Sequence, residues 1–170
     1  MRTITLITTG GTIEKTYDEA SGQLVNRGSL LRRMLRRLRL EERSVRIIEL
    51  MSKDSLFMTD DDRDRVVEAV RLATASDNGG GAGIVILHGT DTLCITGEKL
   101  YKEFAPKVPI VLTGAMRPYE MTKSDALQNL TEAIFAAGTL GPGIYCVAHG
   151  RALKFPGVVK DKDRGTFVSG

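Results

Sequence analysis

The sequence predicts an α/β fold, a three-layer αβα sandwich around a mostly parallel sheet of the Rossmann- or flavodoxin-like kind. Five short apolar runs, rich in Ile and Val, recur along the 170 residues, with helix-type patterns between them. The runs are apolar throughout instead of alternating, as strands covered on both faces must be. Strand–helix alternation repeated four times gives a parallel sheet with helices on both sides.

The first run, TITLIT at 3–8, passes at once into the corner TTGGTIEKTY. The segment after it, EKTYDEASGQLVNRG, lacks helical periodicity and reads as a mobile loop. Leu31, Met34, Leu35 and Leu38 then follow the i, i+3, i+4, i+7 rule of a helix, and VRIIEL (45–50) is the second strand. Thr59 before Asp60, Asp61 and Asp62 makes an N-cap with acid in the first turn, opening a helix through Val66, Val67 and Val70. NGGGAG (78–83) is a return loop into the third strand, IVILH (84–88). Leu93–Phe104 and Lys123–Ala137 are two further helices, framing the fourth strand, PIVLT (109–113). GIYCVA (143–148) is the fifth.

Length fits one domain with a real core, read as residues 1–170. Hydrophobic residues make up 42% and charged residues 26%, an ordinary globular balance. No apolar run reaches membrane-spanning length, and the N-terminus enters a strand pattern without a secretory h-region. Trp is absent and aromatics are few, which disfavours a base-stacking surface for nucleic acid. Net charge is +3, with its local source in LLRRMLRRLRL. The arginines there (Arg32, Arg33, Arg36, Arg37, Arg39) read as the solvated face of a surface helix, blunted by Glu41 and Glu42, with subunit contact as a further use. Cys94 and Cys146 sit in apolar patterns with no metal spacing, so two buried free thiols and a reducing, cytoplasmic setting are expected.

In such folds ligands bind beyond the carboxyl ends of the strands. Those ends read TTGGTIE, MSKDS, HGTDT, TGAMRP and HGRALKFPGVVKDKD. Hydroxyls, carboxylates, glycines and lysines gather at this one edge, whereas ASDNGGGAG at the other holds no comparable set. The first corner matches neither the P-loop pattern nor the dinucleotide fingerprint, and no helix start is delivered to its glycines, so phosphate binding fails. A hydroxyl nucleophile fits better, provided a partner takes its proton. Thr90-Asp91-Thr92 supplies one if the first and third strands are neighbours, and its backbone N–H groups suit an oxyanion hole. His88 and His149 lie at strand ends without a carboxylate third ligand, and backbone hydrogen bonding accounts for both better than a metal does.

TGGTI, HGTDT, and GAMRP followed by SDALQNL together resemble the bacterial-type L-asparaginases. The likeness runs over essentially the whole chain and corresponds to that family's N-terminal domain, with no counterpart of its smaller C-terminal domain; a short single-domain member is expected, with an excised domain as the alternative. The resemblance implies hydrolysis of L-asparagine to aspartate and ammonia through a threonine acyl-enzyme, without cofactor or metal. It places the nucleophile on Thr12, with Gly11 beside the substrate, and the assisting tyrosine on Tyr17. Thr90 becomes a second catalytic hydroxyl, and Asp91 the group that holds the substrate's α-amino group. Ser52 matches the serine that binds the α-carboxylate. Lys53 stands where many relatives carry Gln, and Ala115 lines the pocket floor. The family lysine falls on Lys160, with Lys162 as the alternative. Burial disfavours an ammonium and a neighbouring carboxylate favours it, so Lys160 is read as acting through its charge on Thr90. A homodimer or homotetramer is expected to close an otherwise open site, with weak affinity and little glutaminase activity. The competing reading is a module that binds asparagine or aspartate without efficient turnover.

Overall fold

The computed structural model describes residues 2–41, 43–76 and 81–170. In chain order it contains β1 (Arg2–Gly10), β2 (Lys15–Asp18), β3 (Gln23–Asn26), α1 (Leu31–Leu35), β4 (Arg43–Lys53), α2 (Asp60–Ser76) and β5 (Gly83–Leu87). There follow α3 (Leu93–Glu103), β6 (Pro109–Thr113), α4 (Ala126–Thr139), β7 (Gly143–Ala148), β8 (Arg151–Lys154), β9 (Val158–Asp161) and β10 (Thr166–Ser169). The main sheet runs β4-β1-β5-β6-β7-β8. Its first five strands are parallel and β8 returns antiparallel. The predicted first and third strands are therefore neighbours.

Pleating sorts each strand's side chains into two cores. Ile84 and Ile86 of β5, Ile110 and Leu112 of β6, and Ile144 and Cys146 of β7 pack with α2 and α3 residues such as Val66, Val70 and Leu100. Val85 and Leu87, Val111 and Val147 face the other way, onto Leu31 and Met34 of α1 and Leu130 and Ile134 of α4. This is the three-layer sandwich the sequence predicts.

Four segments differ from expectation. The chain after the fifth predicted strand, read as a strand-end segment, forms three short strands, β8 returning antiparallel on β7 and β9 pairing antiparallel with β10. The stretch after the first corner is not a loop: β2 and β3 pair as an antiparallel hairpin, Tyr17 opposite Leu24. Its reversal uses Gly22 at φ +69° and an Asp18 carboxylate that accepts from Ser21 Oγ at 2.5 Å. Helix α1 stops at Leu35, and Arg37 and Leu38 continue as i→i−3 turns. It has no side-chain cap, and its arginines are spaced to repel. Helix α4 starts at Ala126 instead of Lys123, because Lys123 holds φ +59° and Ser124 Oγ accepts from the Ala126 N–H at 3.0 Å. Residues 78–80 of the expected return loop, and Glu42, lie outside the described residues.

The α2 start follows the cap read from sequence. Asp62 N–H donates to Thr59 Oγ1 at 3.2 Å, and the Asp62 carboxylate accepts from the Thr59 N–H at 2.9 Å and from Lys53 Nζ at 2.6 Å. Lys53, and then the Thr59 N–H, hold the Asp62 carboxyl down at about 2, against an ordinary value of 3.8. A carboxyl depressed by folding contributes stability that is full above its unfolded value and lost as pH falls through its folded one. Asp62→Asn should therefore be less stable than wild type near pH 6, with the gap closing between about pH 4 and pH 2. Urea melts across that range read this out; a gap undiminished at about pH 2 contradicts the account.

Candidate active site

Backbone that only glycine tolerates builds the first corner. Gly10 and Gly11 end β1 at φ +100° and +80°, where a Cβ is strained. Space is lacking too. A Cβ on Gly11 would lie 2.5 Å from the Cα and N of Gly89, and one on Gly10 would lie 2.4 Å from the N of Lys53. The ends of β1, β4 and β5 thus meet in backbone contact. Gly11 is committed to this junction: its N–H donates to the Lys53 carbonyl at 2.8 Å, and its carbonyl accepts from Asn26 Nδ2 at 2.9 Å. Thr12 opens a short 3-10 turn (Thr12–Glu14) and is half buried. Its hydroxyl has no hydrogen-bond partner among the described residues.

Beneath Thr12, Glu14 is buried, 1% exposed. Its carboxylate accepts from Thr8 Oγ1, from Ser29 Oγ at 2.5 Å and from the Leu30 N–H at 3.0 Å. Burial raises its pKa above the usual range, and these hydrogen bonds work against that rise. The arrangement anchors the turn from below and ties it to the chain leaving the hairpin.

The corner after β5 carries Thr90, buried, and Asp91, exposed. Lys160 reaches both from β9: Nζ lies 2.8 Å from Thr90 Oγ1 and 2.7 Å from Asp91 Oδ1. Strand alternation explains the reach. Val158 is 2% exposed and packs into the core, Val159 is 46% exposed, and Lys160 shares the inward side with Val158. Lys162 sits in the turn beyond the strand, exposed and without a contact to Thr90 or Asp91.

The side chains of the other candidates make no hydrogen bond to Thr12, Thr90 or Lys160. Tyr17 is 59% exposed on β2; its N–H donates to Glu120 Oε2 at 2.9 Å, and no hydrogen bond joins it to Thr12. Ser52 is exposed, its Oγ donating to the Gly28 carbonyl at 3.4 Å. Lys53 is engaged by Asp62. Ala115 is buried in the core beneath the fourth strand end.

Ser55, not singled out from sequence, is the serine that abuts the Thr90 corner. It is 2% exposed, and its Oγ would lie 2.4 Å from a Cβ on Gly89. Its carbonyl accepts from Thr92 Oγ1 at 3.0 Å. The neighbouring Asp54 pairs with Lys15 at the hairpin base, 2.6 Å apart. The only signal for Ser55 was a second serine in MSKDS, and nothing in the pattern says which of two serines faces inward once the strand turns.

The GAMRP and SDALQNL motifs meet in one hydrogen-bonded knot. Asp125 accepts from the N–H groups of Met116 and Arg117, at 3.0 Å each. Asn129 Nδ2 donates to the Gly114 carbonyl at 2.8 Å, and His149 links Asp125 Oδ2 at 2.7 Å to Thr166 Oγ1 at 2.9 Å. Burial raises the Asp125 pKa, but the donors outweigh it and the net shift is downward. The knot holds the fourth strand end in place. His88 is fully buried between the Gly89 carbonyl and Thr96, and burial takes its pKa down to about 4, so it is neutral at ordinary pH. Burial pushes the Cys94 thiol up to about 11, unsuited to act as a thiolate. Among the described residues no group of three or more His, Cys, Asp or Glu side chains is placed to hold a metal. Nor is any helix there long and apolar enough to cross a membrane.

Residues 3–165 match the family model for asparaginase, N-terminal. The chain is 31% identical over 154 residues to a subunit of the glutamyl-tRNA(Gln) amidotransferase of Methanococcus vannielii, covering 88% of this chain and 35% of that protein. It is 48% identical over 64 residues to the L-asparaginase of Thermococcus kodakarensis, covering 37% of this chain and 20% of that one. The solved thermostable L-asparaginase from Thermococcus kodakarensis superimposes with a TM-score of 0.85 at 28% identity, over 98% of this chain and 51% of that one. The chain thus spans about a third of the amidotransferase relative and about half of the solved structure.

Proposed function

The chain belongs to the asparaginase family through that family's N-terminal domain, and on this premise we propose that it hydrolyses the side-chain amide of L-asparagine. Thr12 Oγ1 attacks the amide carbon while its proton passes to a neighbouring base or water, giving a tetrahedral intermediate. The C–N bond then breaks, the nitrogen leaves protonated as ammonia, and water cleaves the Thr12 ester to release aspartate. Thr90 is the second hydroxyl of the reaction, and the Lys160 ammonium lowers the cost of alkoxide character on it. Asp91 meets the substrate's α-ammonium, Ser52 its α-carboxylate, and Ala115 floors the pocket; Tyr17 assists Thr12 after moving towards it. Lys53 and Gly11 shape the substrate side of the second and first corners.

The observation that carries the reading is the Lys160 ammonium within 2.8 Å of Thr90 Oγ1 and 2.7 Å of Asp91, at a corner in backbone contact with Gly11. Two unpaired cysteines favour a reducing, cytoplasmic setting. Asp91 leaves the site open to solvent on one side, and a homodimer or homotetramer would close it. The amidotransferase relative favours a second reading, in which the chain serves as one component of a larger assembly and binds its amide without efficient turnover alone.

An ammonia assay beside calorimetry with asparagine separates the two, since heat of binding without ammonia supports the second. In the enzyme, Lys160→Gln should lower kcat about 100-fold or more while KM changes little, as befits charge supplied to the reacting hydroxyl. Full turnover in that variant contradicts the assignment of Lys160.

A further inference from the structure

A cleft of about 960 Å³ has none of Thr12, Thr90 and Lys160 in its lining. Three segments enclose it: the β2–β3 hairpin, α1 with the turn after it, and the loop leading into α4. One wall presents Arg33 and Arg37, exposed and four residues apart, and neither has a carboxylate partner among the described residues. The rest is largely apolar, with Tyr17, Leu24, Tyr119 and Leu127. Glu120 also lines it, but its Oε2 already accepts the Tyr17 N–H.

Two guanidiniums with no ion-pair partner among the described residues, at the edge of an aromatic and aliphatic hollow whose one carboxylate, Glu120, is engaged by the Tyr17 N–H, define a ligand class. The planar guanidinium fork pairs bidentately with two oxygens of a phosphate or carboxylate, and the hollow has the size of ordinary small-molecule sites. We infer that this cleft binds a small organic anion, a phosphate or carboxylate head on a planar apolar body, with Arg33 and Arg37 on the head and Tyr17 and Leu24 on the body. A bare inorganic anion gains only the first set of contacts. The arginine stripe thereby divides: Arg33 and Arg37 face the cleft, whereas Arg32 pairs loosely with Glu49 at 3.6 Å and Arg36 lies outside it.

The cleft also bears on turnover, a consequence that rests on the function proposed above. Tyr17 forms one wall, so an occupant bridging α1 and the hairpin holds its ring away from Thr12 and inhibits.

Phenyl phosphate, phenylacetate and inorganic phosphate, titrated separately into the 15N-labelled full chain, test the site by amide shifts at Tyr17, Leu24 and Met121. Phenyl phosphate or phenylacetate should saturate those shifts, the stronger of the two identifying the head group, with inorganic phosphate about tenfold weaker. Arg33→Gln/Arg37→Gln should weaken binding of the organic anion about tenfold or more, and Arg32→Gln/Arg36→Gln should leave it within about twofold. No saturable shift with either organic anion, or equal losses in both double variants, overturns the site. Unchanged ammonia release at saturation overturns the inhibitory role. The binding arm stands even for a chain that releases no ammonia, so the two failures are distinguishable.

Discussion

Thr12→Ala should reduce ammonia release from asparagine by about 10³-fold or more, in kcat rather than in KM. Removing a nucleophile leaves no alternative route to the acyl-enzyme, whereas substrate binding rests on other groups. The corner itself should survive. Its geometry comes from Gly10 and Gly11 at positive φ, from the Gly11 N–H on the Lys53 carbonyl, and from Glu14 beneath. The Thr12 hydroxyl contributes no hydrogen bond among the described residues, so its loss should change stability by no more than about 0.5 kcal/mol. Thr12→Ser keeps an oxygen in place and should recover part of the rate. Thermal melts with steady-state kinetics on the three proteins decide it. Retained turnover in Thr12→Ala excludes Thr12 as nucleophile, and a large fall in melting temperature would mean that the hydroxyl is structural.

What was legible in the sequence follows from which forces act locally. The five parallel strands are buried on both faces, and burial of that kind writes uninterrupted Ile and Val into the chain. The sequence left the adjacency of the first and third strands as a condition; the order β4-β1-β5, which brings the TGGTI and HGTDT corners together, is set by long-range pairing and not by the residues of either corner. Thr59 and Asp62 form their cap within one turn, and the sequence shows it directly. The hairpin was illegible because Tyr17, Leu24 and Val25 lie on a two-stranded ribbon with no fully buried side chain, leaving no clean alternation. Ser52 and Ser55 could not be ranked because β4 runs to Lys53 and the chain then turns, which breaks the period that would assign faces. The reach of Lys160 was carried by resemblance; its physical basis, a β9 strand pinned through Val158 and Phe167, depends on contacts far apart in sequence. Asp125 and His149 form their pair across 24 residues, and a strand-end histidine gives no sign of that from its own neighbours.

Gly97→Ala should damage both stability and turnover, though Gly97 touches neither substrate nor any proposed catalytic group. It lies buried on α3, and a Cβ there would sit 2.1 Å from Cζ of Phe155 and 2.5 Å from its Cε atoms. The ring has little room to retreat: Phe155 is 1% exposed, and its N–H donates to the Ile144 carbonyl at 2.9 Å. Overpacking of this kind costs about 1–3 kcal/mol, roughly 2–10 °C in melting temperature for a domain of this size. Displacement of Phe155 passes along a short path. The next residues lead into β9, tethered by the Gly157 N–H on Glu98 at 2.7 Å and by buried Val158, and Lys160 follows two residues later. A shift of about 1 Å there would lengthen both Lys160 contacts and lower kcat by about tenfold to 100-fold. Phe155→Leu in the Gly97→Ala background removes the ring that clashes and should recover part of both losses. An unchanged melting temperature in Gly97→Ala contradicts the packing. A lowered melting temperature with unchanged kcat shows instead that Lys160 is held by Thr90 and Asp91 alone, independently of the core behind it.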